Sequence, residues 1–290
     1  MYIKKIHFPM QVRLSNFIFY FLYLALFFIS FFTGPLFSQT PVTAFFNEKL
    51  EYEVQWKGFT VGYINMVSQK ESDTLIAVNA TIDSFSKLKY FFYIGGTIGA
   101  HWNYKSRSSY TAFEDVYQGY TYQKRNYTYD QKKVHVKKIE KVFTEASYPH
   151  KSMLQKYVEK EEDLPFPEYQ DLLGVFYALR SGPMPKVGDI IKLKALPAGV
   201  RKVIIIEVLE KREFFSAALK KTIQVYHVKS ALGDFRSERK ESGGDVFFAT
   251  QSPIEMYIAD DGSGIPVKMW TIIPYLGRLD IVLKNYTSGK

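Results

Sequence analysis

Strict alternation of apolar and polar residues runs through most of this chain, and a period of two commits a chain to sheet. Leu50-Glu51-Tyr52-Glu53-Val54-Gln55-Trp56 is the clearest case. Successive side chains of a strand point to opposite faces, so this pattern gives one buried face and one wet face. Lys57-Gly58 reads as a turn and 61–68 as the return strand. Residues 74–82, 97–104, 108–120, 120–129 and 134–139 continue the pattern, with Gly95-Gly96 marking a break. Composition agrees: 24 Phe and 22 Tyr bring the aromatic share to 17%, and both types favour half-buried pleated surfaces.

The first 38 residues form a separate unit. Lys4, Lys5 and Arg13 precede the apolar run Phe17–Phe32, Gly34-Pro35 breaks it, and Ser38 offers a small residue before Gln39. A basic leader, an apolar core and a small residue at the junction describe a secretory signal cut after Ser38. The run also approaches the ~20 apolar residues that cross a bilayer, so a retained anchor is the alternative. Either reading exports residues 39–290, to the periplasm or the outer envelope. Removing the segment's three cations from 38 leaves 35 Lys and Arg against 29 acidic residues, a net of +6. With no cysteine, disulfides, thiolate metal sites and cysteine nucleophiles are excluded.

The alternation lapses in the middle. Residues 147–167 are polar and end in Pro165-Phe166-Pro167, which reads as a linker. Asp171–Arg180 follows as one helix, with Leu172, Phe176 and Leu179 at helical spacing to form its buried face and Asp171 suited to the N-terminus. Strands resume over 189–196, 200–209 and 221–230. Residues 233–253 read as an exposed loop. Residues 254–259 and 265–272 pair as a hairpin across Asp260-Asp261-Gly262, and 279–283 offers a last strand. About a dozen antiparallel strands must curl, close or split. The expectation is a mainly β protein: a strongly curved antiparallel sheet or half-barrel with one central helix packed on it. A single β-rich domain over 39–290 is expected, with two β subdomains divided near 147–167 as the alternative.

Three pieces in order resemble a known family. They are Tyr52-Glu53-Val54-Gln55-Trp56 with Gly58 and Gly62; the helix ending Tyr177-Ala178-Leu179-Arg180 with Pro185 and Gly188-Asp189; and Tyr257-Ile258-Ala259-Asp260-Asp261 with Ile265-Pro266-Val267. The chain is similar, over about 47–284, to the domain-of-unknown-function 3108 family of exported bacterial envelope proteins. The resemblance implies a β-rich envelope protein and supplies no catalytic residues.

The residues themselves offer little chemistry. His101, His135, His150 and His227 have no metal-ligand spacing, and no nucleophile elbow, phosphate loop or dinucleotide fingerprint occurs. Asp260-Asp261 reads as turn chemistry rather than a catalytic pair. Asp171 and Arg180 complement the helix dipole, with contact between Arg180 and a buried carboxylate as the alternative. No catalytic residue, metal or cofactor is expected.

One stretch stands out for binding. Lys124, Arg125, Lys132, Lys133, Lys137, Lys138 and Lys141 follow and overlap Tyr120, Tyr122, Tyr127 and Tyr129. Basic and aromatic residues together suit single-stranded nucleic acid, but export removes that partner. Solvated strand faces or an anionic envelope component remain. The candidate ligand-binding set is Tyr120, Tyr122, Tyr127, Tyr129, Lys132, Lys133, Lys137 and Lys138. The expected function is non-catalytic binding of an apolar or amphipathic ligand, a lipid or an acidic glycan, on the curved sheet. An interaction scaffold or a hydrolase is the alternative. Membrane contact is expected only through the leader, if it is retained.

Overall fold

The computed structural model describes residues 45–84, 94–118, 121–143, 153–182, 185–234, 253–273 and 277–289. The leader, Tyr120, most of the 233–253 loop and the first part of the 147–167 segment lie outside them. Among the described residues the chain forms fourteen strands and one α-helix. The first eight strands are β1 (Lys49–Trp56), β2 (Phe59–Lys70), β3 (Leu75–Ser84), β4 (Ile94–Asn103), β5 (Ser108–Gln118), β6 (Thr121–Tyr129), β7 (Val134–Phe143) and β8 (Leu154–Leu164). Helix α1 (Leu172–Ser181) follows. The rest are β9 (Ile190–Ala195), β10 (Lys202–Ser216), β11 (Lys221–Asp234), β12 (Ile254–Ala259), β13 (Pro266–Ile273) and β14 (Gly277–Thr287).

All strands join one antiparallel sheet in the order β8-β7-β6-β5-β4-β3-β2-β1-β14-β13-β12-β11-β10-β9. Every neighbour but one is also the neighbour in sequence. The exception, β1 against β14, joins the two halves at the centre, leaving β8 and β9 as the edges. Laid flat at ~4.8 Å per strand, such a sheet would span roughly 60 Å. Yet one core cluster takes Leu50 and Tyr52 from β1, Val78 from β3, Trp102 from β4, Val136 from β7, Val225 from β11 and Leu283 from β14, with Leu173 and Tyr177 of α1 among them. Only a sheet curled around the helix brings these together. It does not close, because β8 and β9 are not paired with each other. The chain just after β8 bridges the gap at one point: Gln170 pairs in parallel with Ala195, and the Leu196 N–H donates to the Gln170 carbonyl at 2.8 Å.

The helix starts on a strong cap. The Asp171 Oδ1 accepts from the Gly174 N–H at 2.9 Å, and its other oxygen accepts from the Ser109 hydroxyl of β5. Gly174 permits this approach, since a Cβ there would collide with the Ser109 Oγ. The expected buried stripe needs correction. Leu172, Phe176 and Leu179 are only half-buried, whereas Leu173, Val175, Tyr177, Arg180 and Ser181 are buried. The sheet encloses the helix on several sides, so Phe176 packs on the main core and Leu179 on a second cluster with Val208 and Val228.

The segment read as a linker also needs correction, since it contains β8. Its sequence, LQKYVEKEEDL, carries charge on both faces because β8 is an edge strand with much of its surface in water. Such charge keeps an edge from pairing with another chain. The 254–272 hairpin is present as β12 and β13. Its turn is held by Asp261, whose Oδ1 accepts from the Ser263 N–H at 3.0 Å, with Gly262 at φ 82°.

Candidate functional site

Register separates the two faces of the sheet. One cross-strand row runs Leu50, Met66, Ala80, Ile98, Glu114, Arg125, Lys138, Lys160 from β1 to β8. The next runs Tyr52, Ile64, Ile82, Gly96, Val116, Gln123, Glu140, Val158 over the same strands. Both lie on the helix-facing side, with buried Leu50 and Tyr52. On the other half of the sheet, Val54, Ile281, Met269, Met256 and Val228 form a matching row across β1, β14, β13, β12 and β11. Along these rows the inner face is apolar through the middle of the sheet and becomes charged on β5–β8, whose other inward residues, Ala112, Tyr127, Tyr129, Val134 and Val136, belong to the core.

The helix does not cover all of it. Val54, Ile64, Ile98, Val116, Met256, Met269 and Ile281 remain half-buried on the inner face. In the charged part, Arg125 is buried, with its guanidinium donating to Glu114 Oε2 and to Gln123 Oε1, each at 2.7 Å. Lys138 meets Glu140 at 2.9 Å and Lys160 meets Glu162 at 2.5 Å. An apolar surface beside fixed charges of both signs can hold a molecule with an apolar body and a polar head.

Among the described residues a fully buried ion pair sits beside the helix C-terminus. Arg180 meets Glu48 through two bonds, 2.7 Å to Oε2 and 2.6 Å to Oε1, both side chains being 1% exposed. The guanidinium also donates to the Ser263 carbonyl and lies within 5.1 Å of the Phe45 and Phe176 ring centres. Burial opposes the Arg180 charge, but the Glu48 carboxylate more than offsets this and holds its pKa above the usual arginine value. Burial pushes the Tyr52 and Tyr177 hydroxyls upward in the same region. Of the two readings open for Arg180, contact with a buried carboxylate is the one observed. The pair ties the chain entering β1, the helix and the β12–β13 turn together.

The eight expected ligand-binding residues do not share one face. Tyr127 and Tyr129 point inward and are buried, and burial raises both hydroxyls well above the ordinary value. Tyr122 lies on the outer side, 4.6 Å from Tyr117 and pushed up to about 12 by burial and the nearby Asp115. Lys132 and Lys133 belong to the β6–β7 turn, where Asp130 Oδ1 accepts from both backbone N–H groups. Lys133 also meets Asp163 at 2.6 Å. Lys137 is on the outer face, between Glu159 at 3.3 Å and Glu161 at 3.0 Å. Of the four expected lysines, Lys138 alone joins the inner row. Tyr120 lies outside the described residues. Linear spacing could not separate these residues because the acids facing Lys133 and Lys137 come from β8 and the one facing Tyr122 from β5. The apolar inner rows were legible only strand by strand, as the inward half of each alternation.

The three described histidines lie on separate strands, and His150 lies outside the described residues. His101 contacts Thr111 at 2.7 Å, His135 contacts Asp163 at 2.9 Å, and His227 contacts Glu255 at 2.8 Å. Among the described residues no three metal-ligating side chains cluster.

Fold and site together define an open antiparallel sheet wrapped around a single helix, with part of its inner face uncovered. The chain belongs to the DUF3108 family, a family of proteins of unknown function, whose model matches residues 51–284. Among solved structures it is similar to a beta-barrel-like protein of domain of unknown function DUF1849 from Brucella abortus. That match has 11% identity and a TM-score of 0.53, covering 84% of this chain and 98% of the other. A Bacteroides fragilis protein with a YmcC-like fold, described only provisionally as exported, matches at 7% identity over 83% of this chain and 96% of its own. Its TM-score of 0.34 is too low to support a comparison of folds. No curated protein sequence matches the chain.

Proposed function

We propose that this is an exported, non-enzymatic envelope protein that holds an apolar or amphipathic molecule, a lipid or a lipid-linked glycan, on the inner face of its curled sheet. The observation that supports this is the half-buried apolar surface of Val54, Ile64, Met256, Met269 and Ile281, which the helix leaves uncovered. Apolar area is worth about 25 cal/mol per Å² when it leaves water, so an acyl chain laid along these rows gains appreciable free energy. The row Glu114-Arg125-Lys138-Lys160 gives a polar head a place beside it, with Lys138 shared between this reading and the expected ligand set.

Native mass spectrometry of protein purified from its own envelope should reveal a co-purifying amphiphile. The purified protein should also bind a soluble fluorescent fatty acid, and Met269→Asp with Ile281→Asp should reduce that affinity by more than about tenfold. Unchanged probe binding in this double variant, with its circular dichroism preserved, would remove the inner face as the site.

A further inference from the structure

Strands β7 and β8 arrange charge differently on their two faces. On the outer face each acid stands directly across from a basic residue, Glu161 from Lys137 and Asp163 from His135. On the inner face like stands across from like. Lys138 is paired with Lys160 of β8 on one side and with Arg125 of β6 on the other. Three cations therefore follow one another along a single row. Like charges directly opposite destabilise a sheet. Keeping an edge strand soluble accounts for the outer ladder but not for this row.

The nearby carboxylates do not balance it. Among the described residues of β5–β8 the inner face carries Arg125, Lys138, Lys156 and Lys160 against Glu114, Glu140 and Glu162, four cations to three acids. Glu114 accepts from Arg125 at 2.7 Å and Glu162 from Lys160 at 2.5 Å. That leaves Glu140 for both Lys138, at 2.9 Å, and Lys156, at 3.7 Å. The Lys138 bond, with the charges of Lys156 and Arg125 added, holds the Glu140 carboxyl below its ordinary value although burial opposes this. Lys138 and Glu140 are half-buried, and Lys156 and Lys160 are exposed, so a solute can reach the group. An ammonium has three donors, so an incoming anion can be bound with these ion pairs intact. Apolar surface begins close by: Val116 pairs with Gln123 and Ile98 with Glu114, and both are half-buried.

We propose that the molecule held on the inner face has an anionic head, a carboxylate or a phosphate, bound by Lys138, Lys156 and Lys160 beside Arg125. This rests on the inner face being a binding surface. It adds the chemical class of the head and the direction of the ligand, head at β6–β8 and tail toward the middle of the sheet. Cβ atoms directly opposite on neighbouring strands are about 4.5–5.5 Å apart, so one anion can accept charge-assisted bonds from two ammonium groups.

The test compares three soluble probes of one acyl chain length, each below its micelle concentration: a monoacylglycerol with a neutral head, a fatty acid and a lysophosphatidic acid. Wild type should bind both anionic probes more than about tenfold tighter than the neutral one. Lys138→Gln, Lys156→Gln and Lys160→Gln combined should remove that preference, with monoacylglycerol binding and circular dichroism as in wild type. Glu140→Gln removes the competing carboxylate and should strengthen the preference. Met269→Asp with Ile281→Asp should weaken all three probes alike. The tighter of the two anionic probes distinguishes a carboxylate head from a phosphate. Equal binding of neutral and anionic probes by wild type overturns the charged head while leaving the inner face as a binding surface. A lysine variant that keeps the preference, or loses all three probes alike, also overturns the charged head. Binding of none of the three by wild type overturns both readings.

Discussion

Two sets of ion pairs, one beside the helix and one on the β7–β8 edge, use the same chemistry under opposite conditions. Arg180 and Glu48 are each 1% exposed. Lys137 is 43% exposed, with Glu159 and Glu161 at 43% and 53%. Coulomb attraction is weak in water and strong in a dry interior, but so is the cost of removing charge from water. The buried pair therefore fixes geometry. It is tolerable only while both partners are present, and it holds three distant segments in one arrangement. The exposed ladder keeps an edge strand soluble and leaves its partners free to exchange for water.

The largest effect should come from breaking the buried pair on one side. Arg180→Met leaves the Glu48 carboxylate unpaired in the core and should cost about 3–5 kcal/mol in urea unfolding. Combining it with Glu48→Leu should recover much of that loss, since two apolar residues of similar volume leave no buried charge. A double variant as unstable as the single would mean that the aromatic packing around the guanidinium matters more than the charge pair.

This contrast explains what could be read from the sequence. Alternation such as Leu50–Trp56 reports which side of a strand is dry, so the curled sheet and the 254–272 hairpin were legible. Edge strand β8 was not, because charge on both faces makes it look like a linker. The helix was legible in place but not in its buried stripe, and Arg180 keeps two readings, dipole partner or contact of a buried carboxylate, until Glu48, 132 positions away, is beside it. The expected Tyr and Lys set was separated for a similar reason. Partners set by long-range register, such as Asp163 for Lys133, carry no local signal.

Between the extremes lies Asp171, a carboxyl buried without a cation. Burial raises its pKa to about 6, although the Ser109 hydroxyl and the Gly174 N–H lower it in part. The folded state keeps a proton that the unfolded chain, with an ordinary value near 3.8, has released. Its contribution is therefore full below about pH 4 and is lost as pH rises through about 6. Relative to Asp171→Asn, which retains a capping side chain, wild type should lose about 2–3 kcal/mol across that window. Urea titrations of both proteins at several pH values check this, and parallel profiles would place the titration elsewhere.

Arg125 and Glu114 come next, 4% and 15% exposed at the border of the uncovered inner face. Glu114→Gln keeps a hydrogen-bond acceptor but removes the charge, and Gln123 still accepts from the guanidinium. A cost of about 1–3 kcal/mol in urea unfolding is expected, smaller than for the fully enclosed pair. A loss as large as that of Arg180→Met would show that partial access to water relieves nothing here.

The smallest effect should come from the edge. Changing Lys132, Lys133, Lys137 and Lys138 together to Gln removes the outer ladder and the Lys138 contact with Glu140. Side chains this exposed are hydrated in both the folded and the unfolded chain, and salt screens what attraction remains. The thermal midpoint should stay within the scatter of the wild type. Binding to anionic vesicles gives the sharper reading. Lys133, Lys137 and Lys138 each face a carboxylate, two of them on the acidic strand β8, so this region presents little net positive charge to an anionic surface. The quadruple variant should therefore bind vesicles containing phosphatidylglycerol no less than wild type does. If the four lysines instead control vesicle binding, the basic stretch is a membrane-facing surface, and its pairing with β8 must open when it meets lipid.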